Sequence, residues 1–102
     1  KLNWPLIEEL HQDISKPMVI HGGTGVNEDD YHRLTENGFR KFNVGTELLV
    51  GWTRKAKEMF GQTEVNTSLR NNIVPCNDVV YDIVKHKISL FLNKEAAVPV
   101  KA

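Results

Sequence analysis

The chain has 102 residues, 40% of them hydrophobic, and its 13 Lys+Arg balance 13 Asp+Glu for a formal net charge of zero. That length supports one small domain with a modest core, and the balance removes any electrostatic case for nucleic acid or an anionic membrane. No apolar run approaches the ~20 residues that span a bilayer, the start Lys1–Pro5 has no apolar leader, and Cys76 has no second cysteine to pair with, so a cytoplasmic, reducing setting is expected.

In chain order, Asn3 is placed to cap a first helix, with Pro5 in its first turn and Glu8 and Glu9 near its positive end. Leu6, Ile7 and Leu10 give that helix an apolar face, and Ser15-Lys16-Pro17 stops it. Met18 to Ile20 is a short buried strand. Asn27 is expected to cap the next helix, with Glu28, Asp29 and Asp30 in the first turn, Tyr31 and Leu34 facing inward and Gly38 just past its end. Phe39 to Val44 is the second strand. Thr46 is expected to cap a third helix with Leu49, Val50, Trp52, Ala56 and Phe60 as its apolar residues. Residues 61–77 are polar and irregular in pattern. Asp78 is expected to cap a last helix carrying Val79, Val80, Ile83, Val84, Ile88 and Phe91 at helical spacing. The tail 94–102 is expected to fray.

Strands alternating with helices imply crossovers and a parallel sheet, hence an α/β class. Two strands are too few for a parallel sheet covered on both faces, and a complete (β/α)8 barrel takes about 250 residues. The start also lacks an initiator Met. The chain is therefore expected to be a piece of something larger.

Two polar signals stand at the carboxyl ends of the two strands, where parallel α/β folds hold ligands. The first is His21-Gly22-Gly23-Thr24-Gly25. An imidazole at a strand end is held rigidly, as a metal ligand must be; a loop histidine bonded to backbone fits the same position. A single histidine does not hold zinc, which usually takes three protein ligands at catalytic sites, and His11, His32 and His86 fall on helices. Gly22 and Gly23 let the backbone approach an anion, and Thr24 adds a hydroxyl; a flexible connector has the same composition. No Walker lysine follows, and the third glycine of a dinucleotide fingerprint is missing. The second signal, Asn43-Val44-Gly45-Thr46, opens a helix whose free N–H groups suit phosphate, although Thr46 also serves as a plain cap.

Pro17–Val26 followed by Phe42–Leu48, with the lead-in Leu2–Leu6 and the closing Val79–Ile88, resembles the carboxyl-terminal third of class II, zinc-dependent ketose-bisphosphate aldolases. The resemblance implies the last part of a (β/α)8 TIM barrel over residues 1–93, two parallel strands with flanking helices and a carboxyl-terminal helix. It implies His21 as one zinc ligand, Gly22, Gly23 and Thr24 as the loop for the phosphate of dihydroxyacetone phosphate, Asn43 as an amide on substrate oxygens, and Thr46 as a phosphate-binding hydroxyl. Val44 and Gly45 belong to the same segment. Thr24 replaces the usual serine and keeps the hydroxyl; Gly45 replaces an aspartate or asparagine and loses a side-chain contact. Arg70 corresponds to an arginine that reaches a neighbouring subunit's site for the second phosphate, in a variable loop where a solvated surface arginine is the commoner reading.

The resemblance further implies Zn2+ and, as in related enzymes, a monovalent cation (Na+ or K+). It implies a phosphorylated sugar substrate, the remaining barrel segments as partners, and a homo-oligomer (dimer or tetramer). The reaction it implies is reversible aldol cleavage of a ketose 1,6-bisphosphate, fructose or tagatose, in glycolysis or related carbohydrate metabolism. The other zinc ligands and the catalytic acid/base aspartate belong to earlier barrel segments, so the 102-residue chain alone is expected to be inactive. The alternatives are a non-catalytic phosphate-binding barrel fragment or packing module, and an unrelated phosphate-binding barrel enzyme, which shares the glycine loops but not the preceding histidine.

Overall fold

The computed structural model describes residues 1–62 and 68–92. The first helix, α1 (Trp4–Asp13), begins as expected: the Asn3 side chain accepts from Leu6 N–H at 3.3 Å, and proline occupies the first turn. It buries Ile7, which joins Leu34 and Phe39 in the core, whereas Leu6 stays exposed. Strand β1 (Met18–Ile20) follows, then a 3-10 turn over Gly23–Gly25 entered through Gly22 in the left-handed region (φ 69°).

Helix α2 (Asp30–Glu36) starts later than the sequence pattern implies. Asp29 is its cap residue, and the Asn27 backbone carbonyl accepts from Asp30 N–H at 2.9 Å. An extra tight turn therefore stands where Asn27 was expected to cap. Tyr31 and Leu34 are fully buried, and Gly38 (φ 89°) ends the helix left-handed, as its type allows. Strand β2 (Phe39–Phe42) pairs parallel with β1, with an irregularity between Met18 and Val19. It ends two residues before Val44. Hydrogen bonding continues through Asn43 N–H to the Ile20 carbonyl at 2.8 Å, but the backbone then turns into the next helix.

That helix, α3 (Thr46–Phe60), lies along α4 (Leu69–Leu92). The stripe it turns inward is Leu48, Gly51, Trp52, Lys55, Ala56 and Met59, at helical spacing. At Gly51 a side chain would meet Ile83 and Val79 of α4, and Trp52 Nε1–H donates to Asn77 Oδ1 at 3.0 Å. Leu49, Val50 and Phe60, apolar residues of the same helix, therefore face away and are exposed.

Helix α4 starts nine residues before the expected Asp78 cap, so residues 69–77 are helical and Asp78 lies inside the helix. Pro75 and three asparagines gave this stretch its irregular look. Asn72 and Cys76 are instead buried, with Cys76 Sγ–H donating to the Asn72 carbonyl at 3.2 Å. Val84 and Ile88 of α4 are exposed rather than inward. Phe42, Phe91 and Tyr31 form a three-ring cluster: the two phenylalanines stack at 4.8 Å, and each meets Tyr31 edge-on at 5.2–5.4 Å. The expected frayed tail 94–102 lies outside the described residues.

Candidate functional site

Parallel pairing of β1 and β2 places residues 21–25 and 43–46 side by side. Gly23 N–H donates to the Asn43 carbonyl at 3.1 Å, which ties the glycine loop to the second strand end. Asn43 Nδ2 lies 3.1 Å from His21 Nδ1. With the carboxamide turned this way, Nδ1 accepts, and the proton of a neutral ring sits on Nε2. An open cavity of about 500 Å³ is lined by Gly22, Thr24, Phe42, Asn43, Val44, Gly45 and Thr46.

Local conformation explains the residue types. Gly22 needs positive φ, and a side chain there would project into open space; the constraint is backbone, not steric crowding. Gly23 is buried against Val44 and the Asn43 carbonyl, where a Cβ would sit in ordinary van der Waals contact at 3.4–3.5 Å. Gly45, not Thr46, is the cap residue of α3, and it has no side chain to cap with. Thr46 is the first helical residue, so the expected capping role is not where its hydroxyl is spent. The first N–H groups of α3 are left for solvent or a ligand, at the positive end of a 15-residue helix.

Arg70 is exposed in the first turn of α4 and is not among the residues lining the strand-end cavity. Among the described residues, no three His, Cys, Asp or Glu side chains converge as a metal centre would require. The strand ends offer zinc one imidazole, so the donor set fits that ion only together with ligands from other segments.

Behind the site lies a network that the sequence did not announce. Lys87 of α4 is buried at 6% exposure. Its Nζ donates to the Tyr31 hydroxyl at 3.3 Å and forms an ion pair with Glu47 Oε2 at 2.9 Å, a charge contact without the alignment of a hydrogen bond. Tyr31 in turn donates to the Gly23 carbonyl at 2.8 Å. Burial is the largest influence on Lys87 and opposes its charge, but the contacts with Glu47 and Tyr31 outweigh it, holding the ammonium pKa above its ordinary value. One signal was available: Lys87 falls in register with Val80, Ile83 and Phe91 on the apolar side of its helix.

A parallel strand pair joined through a helix, with further helices beside it, defines an α/β protein, a class in which ligands are generally held at the strands' carboxyl ends. More particularly, the chain belongs to the class-II fructose-bisphosphate aldolase family, whose family model matches residues 1–96. It is 31% identical over 97 residues to 6-phospho-5-dehydro-2-deoxy-D-gluconate aldolase of Bacillus licheniformis, covering 95% of this chain and 33% of the relative. Sulfofructosephosphate aldolase of Alkalicoccus urumqiensis is also 31% identical over 97 residues, covering 95% and 34%. Fructose-bisphosphate aldolase of Staphylococcus epidermidis is 29% identical over 91 residues, covering 89% and 32%. The crystal structure of the YdjI aldolase from Escherichia coli K12 superposes with a TM-score of 0.77 at 26% identity, covering 88% of this chain and 33% of that one. The chain thus spans about one third of the length of the curated relatives it matches. No helix among the described residues is long and apolar enough to cross a membrane.

Proposed function

We propose that this chain is the phosphate-gripping, carboxyl-terminal part of a class II aldolase barrel that cleaves a phosphorylated ketose reversibly to dihydroxyacetone phosphate and an aldehyde. The observation that supports this most directly is the shared cavity of Gly22, Thr24 and Asn43–Thr46, whose Asn43 also contacts His21. Residues 1–93 form the barrel segment and 94–102 the tail.

The three relatives' names share a phosphate and differ elsewhere, in a gluconate carboxylate, a sulfo group or a second phosphate. The strand-end segments hold the shared phosphate, through backbone N–H groups of residues 22–24 and of the α3 start and through the Thr24 and Thr46 hydroxyls. Fixing that end positions the reacting carbons, so binding energy remote from the reaction lowers the barrier. Asn43 orients a substrate oxygen. Fructose or tagatose bisphosphate is the substrate, with Arg70 reaching a neighbouring subunit's second phosphate in a cytoplasmic homo-oligomer.

His21 would supply one zinc ligand, and residues of the glycine loop would help hold a monovalent cation. The Asn43 carboxamide at His21 Nδ1 would orient the imidazole, and by flipping it could pair with either ring tautomer. Zinc, when bound, would polarise the ketose carbonyl. The remaining ligands and the proton-transfer base come from other segments.

Thr46→Val in the complete enzyme tests the grip. The expected result is a loss of about 1–2 kcal/mol in binding of the phosphorylated substrate, the scale of one hydrogen bond to a charged group, read as a raised KM. Unchanged kinetics with a lowered melting temperature would assign Thr46 to helix stability instead.

A further inference from the structure

The proposed chemistry leaves the most deeply buried charge near the site unused. Lys87 approaches that site from behind, on α4, and its two partners lead to its two halves. Tyr31 bonds the Gly23 carbonyl, and Glu47 directly follows Thr46 in the first turn of α3.

The direction of these bonds follows from donor counting. An ammonium has donors only, so the Tyr31 oxygen accepts from Lys87, and its single proton is committed to the Gly23 carbonyl. That carbonyl also accepts from Val26 N–H at 3.1 Å, which fills both lone pairs. Because the peptide is trans and planar, a Gly23 carbonyl held toward Tyr31 turns the Thr24 N–H the opposite way. Glu47 is anchored by the same ammonium, so α3 cannot shift along its axis without breaking a largely buried ion pair. Burying an ammonium is costly unless it is paired, and packing alone would have been served by a methionine.

We infer, on the reading that these segments grip a phosphate, that Lys87 is a positioning residue which locks the glycine loop and the α3 start into one anion-binding geometry, through Tyr31 on one side and Glu47 on the other. It touches no substrate itself. Its role is to fix the aim of the Thr24 N–H and the distance between the two loops.

The test uses the complete polypeptide that carries this segment, with inorganic phosphate as the calorimetric probe and kcat and KM for the phosphorylated ketose as the second readout. Tyr31→Phe removes one hydroxyl and leaves the ring cluster, Lys87→Met removes the charge, and Glu47→Gln keeps the shape of its side chain. Each is expected to weaken phosphate roughly three- to tenfold, the range of a partly lost hydrogen bond to an anion, and to raise KM more than it lowers kcat. Lys87→Arg, which keeps the charge, is expected to recover part of the affinity. If Lys87→Met does not fold, the other two variants carry the test. Folded variants with lower melting temperatures but wild-type phosphate affinity would overturn the inference and leave Lys87 as a stabilising group. A wild-type protein that binds no phosphate would overturn the phosphate-grip reading itself, and the inference with it.

Discussion

Lys87 shows how one residue connects stability to the site. Its ammonium pKa lies above the ordinary value because Glu47 and Tyr31 outweigh its burial. A raised folded pKa means that folding favours the charged form. The stabilisation is therefore complete below about pH 10.4, the ordinary lysine value, and is lost as pH rises through the higher folded value. Melting temperatures of wild type and Lys87→Met, measured from pH 8 upward, are expected to differ most in the lower part of that range and to converge in strong alkali. A gap that stays constant across the range would mean that the pair contributes nothing through its charge. His21 and Thr46 make the complementary point. Their positions after the two strands were legible in the sequence from the apolar run before each. The exact start of α3 was not: Thr46 was expected to be its cap and is its first helical residue, a difference of one position, less than a propensity pattern resolves.

At the level of elements, the order of helices and strands was legible from period and punctuation, and the start of α4 was not. Pro75 and Asn71, Asn72 and Asn77 argue locally against a helix. Tertiary contacts override them. Asn72 and Cys76 are buried, Asn77 accepts from Trp52, and α3 lies along the same helix. The inward face of α3 was not legible for a related reason: Leu49 and Val50 are apolar, but the position of α4 selects the stripe containing Gly51 and Trp52. The helix tolerates Pro75 at a cost, since its ring nitrogen cannot donate to the Asn71 carbonyl one turn back. Pro75→Ala is expected to stabilise the protein by roughly 2–2.5 kcal/mol, the helix-interior penalty of ~3 kcal/mol less the unfolded-state entropy of about 0.4–1 kcal/mol that alanine restores. Chemical denaturation measures it, and a lower unfolding midpoint would show that Pro75 packs in a way alanine cannot replace.

At the scale of the whole molecule, few side chains are deeply buried. Ile7, Tyr31, Leu34, Phe39 and Cys76 are the buried hydrophobics among the described residues, while Leu49, Val50, Phe60, Leu69 and Leu92 are each about half exposed or more. A two-stranded parallel sheet with such faces is expected to associate with further segments. The segment spans a third of its relatives' length and brings one imidazole to the strand ends. Purified by itself, the 102-residue chain is expected to self-associate, to hold no stoichiometric zinc and to cleave no ketose phosphate. An active, zinc-loaded monomer would mean that the site is built from residues other than those assigned.

The central claim is that His21 and the two strand-end segments form one catalytic ligand face in the complete enzyme. Metal content of that enzyme, measured by plasma mass spectrometry beside an aldol-cleavage assay, tests it most directly in wild type and His21→Ala. The expected result is about one zinc per subunit in wild type, in keeping with a single catalytic centre. In the folded variant, zinc and nearly all cleavage activity are expected to disappear together. Full zinc occupancy with normal turnover in His21→Ala would contradict the assignment.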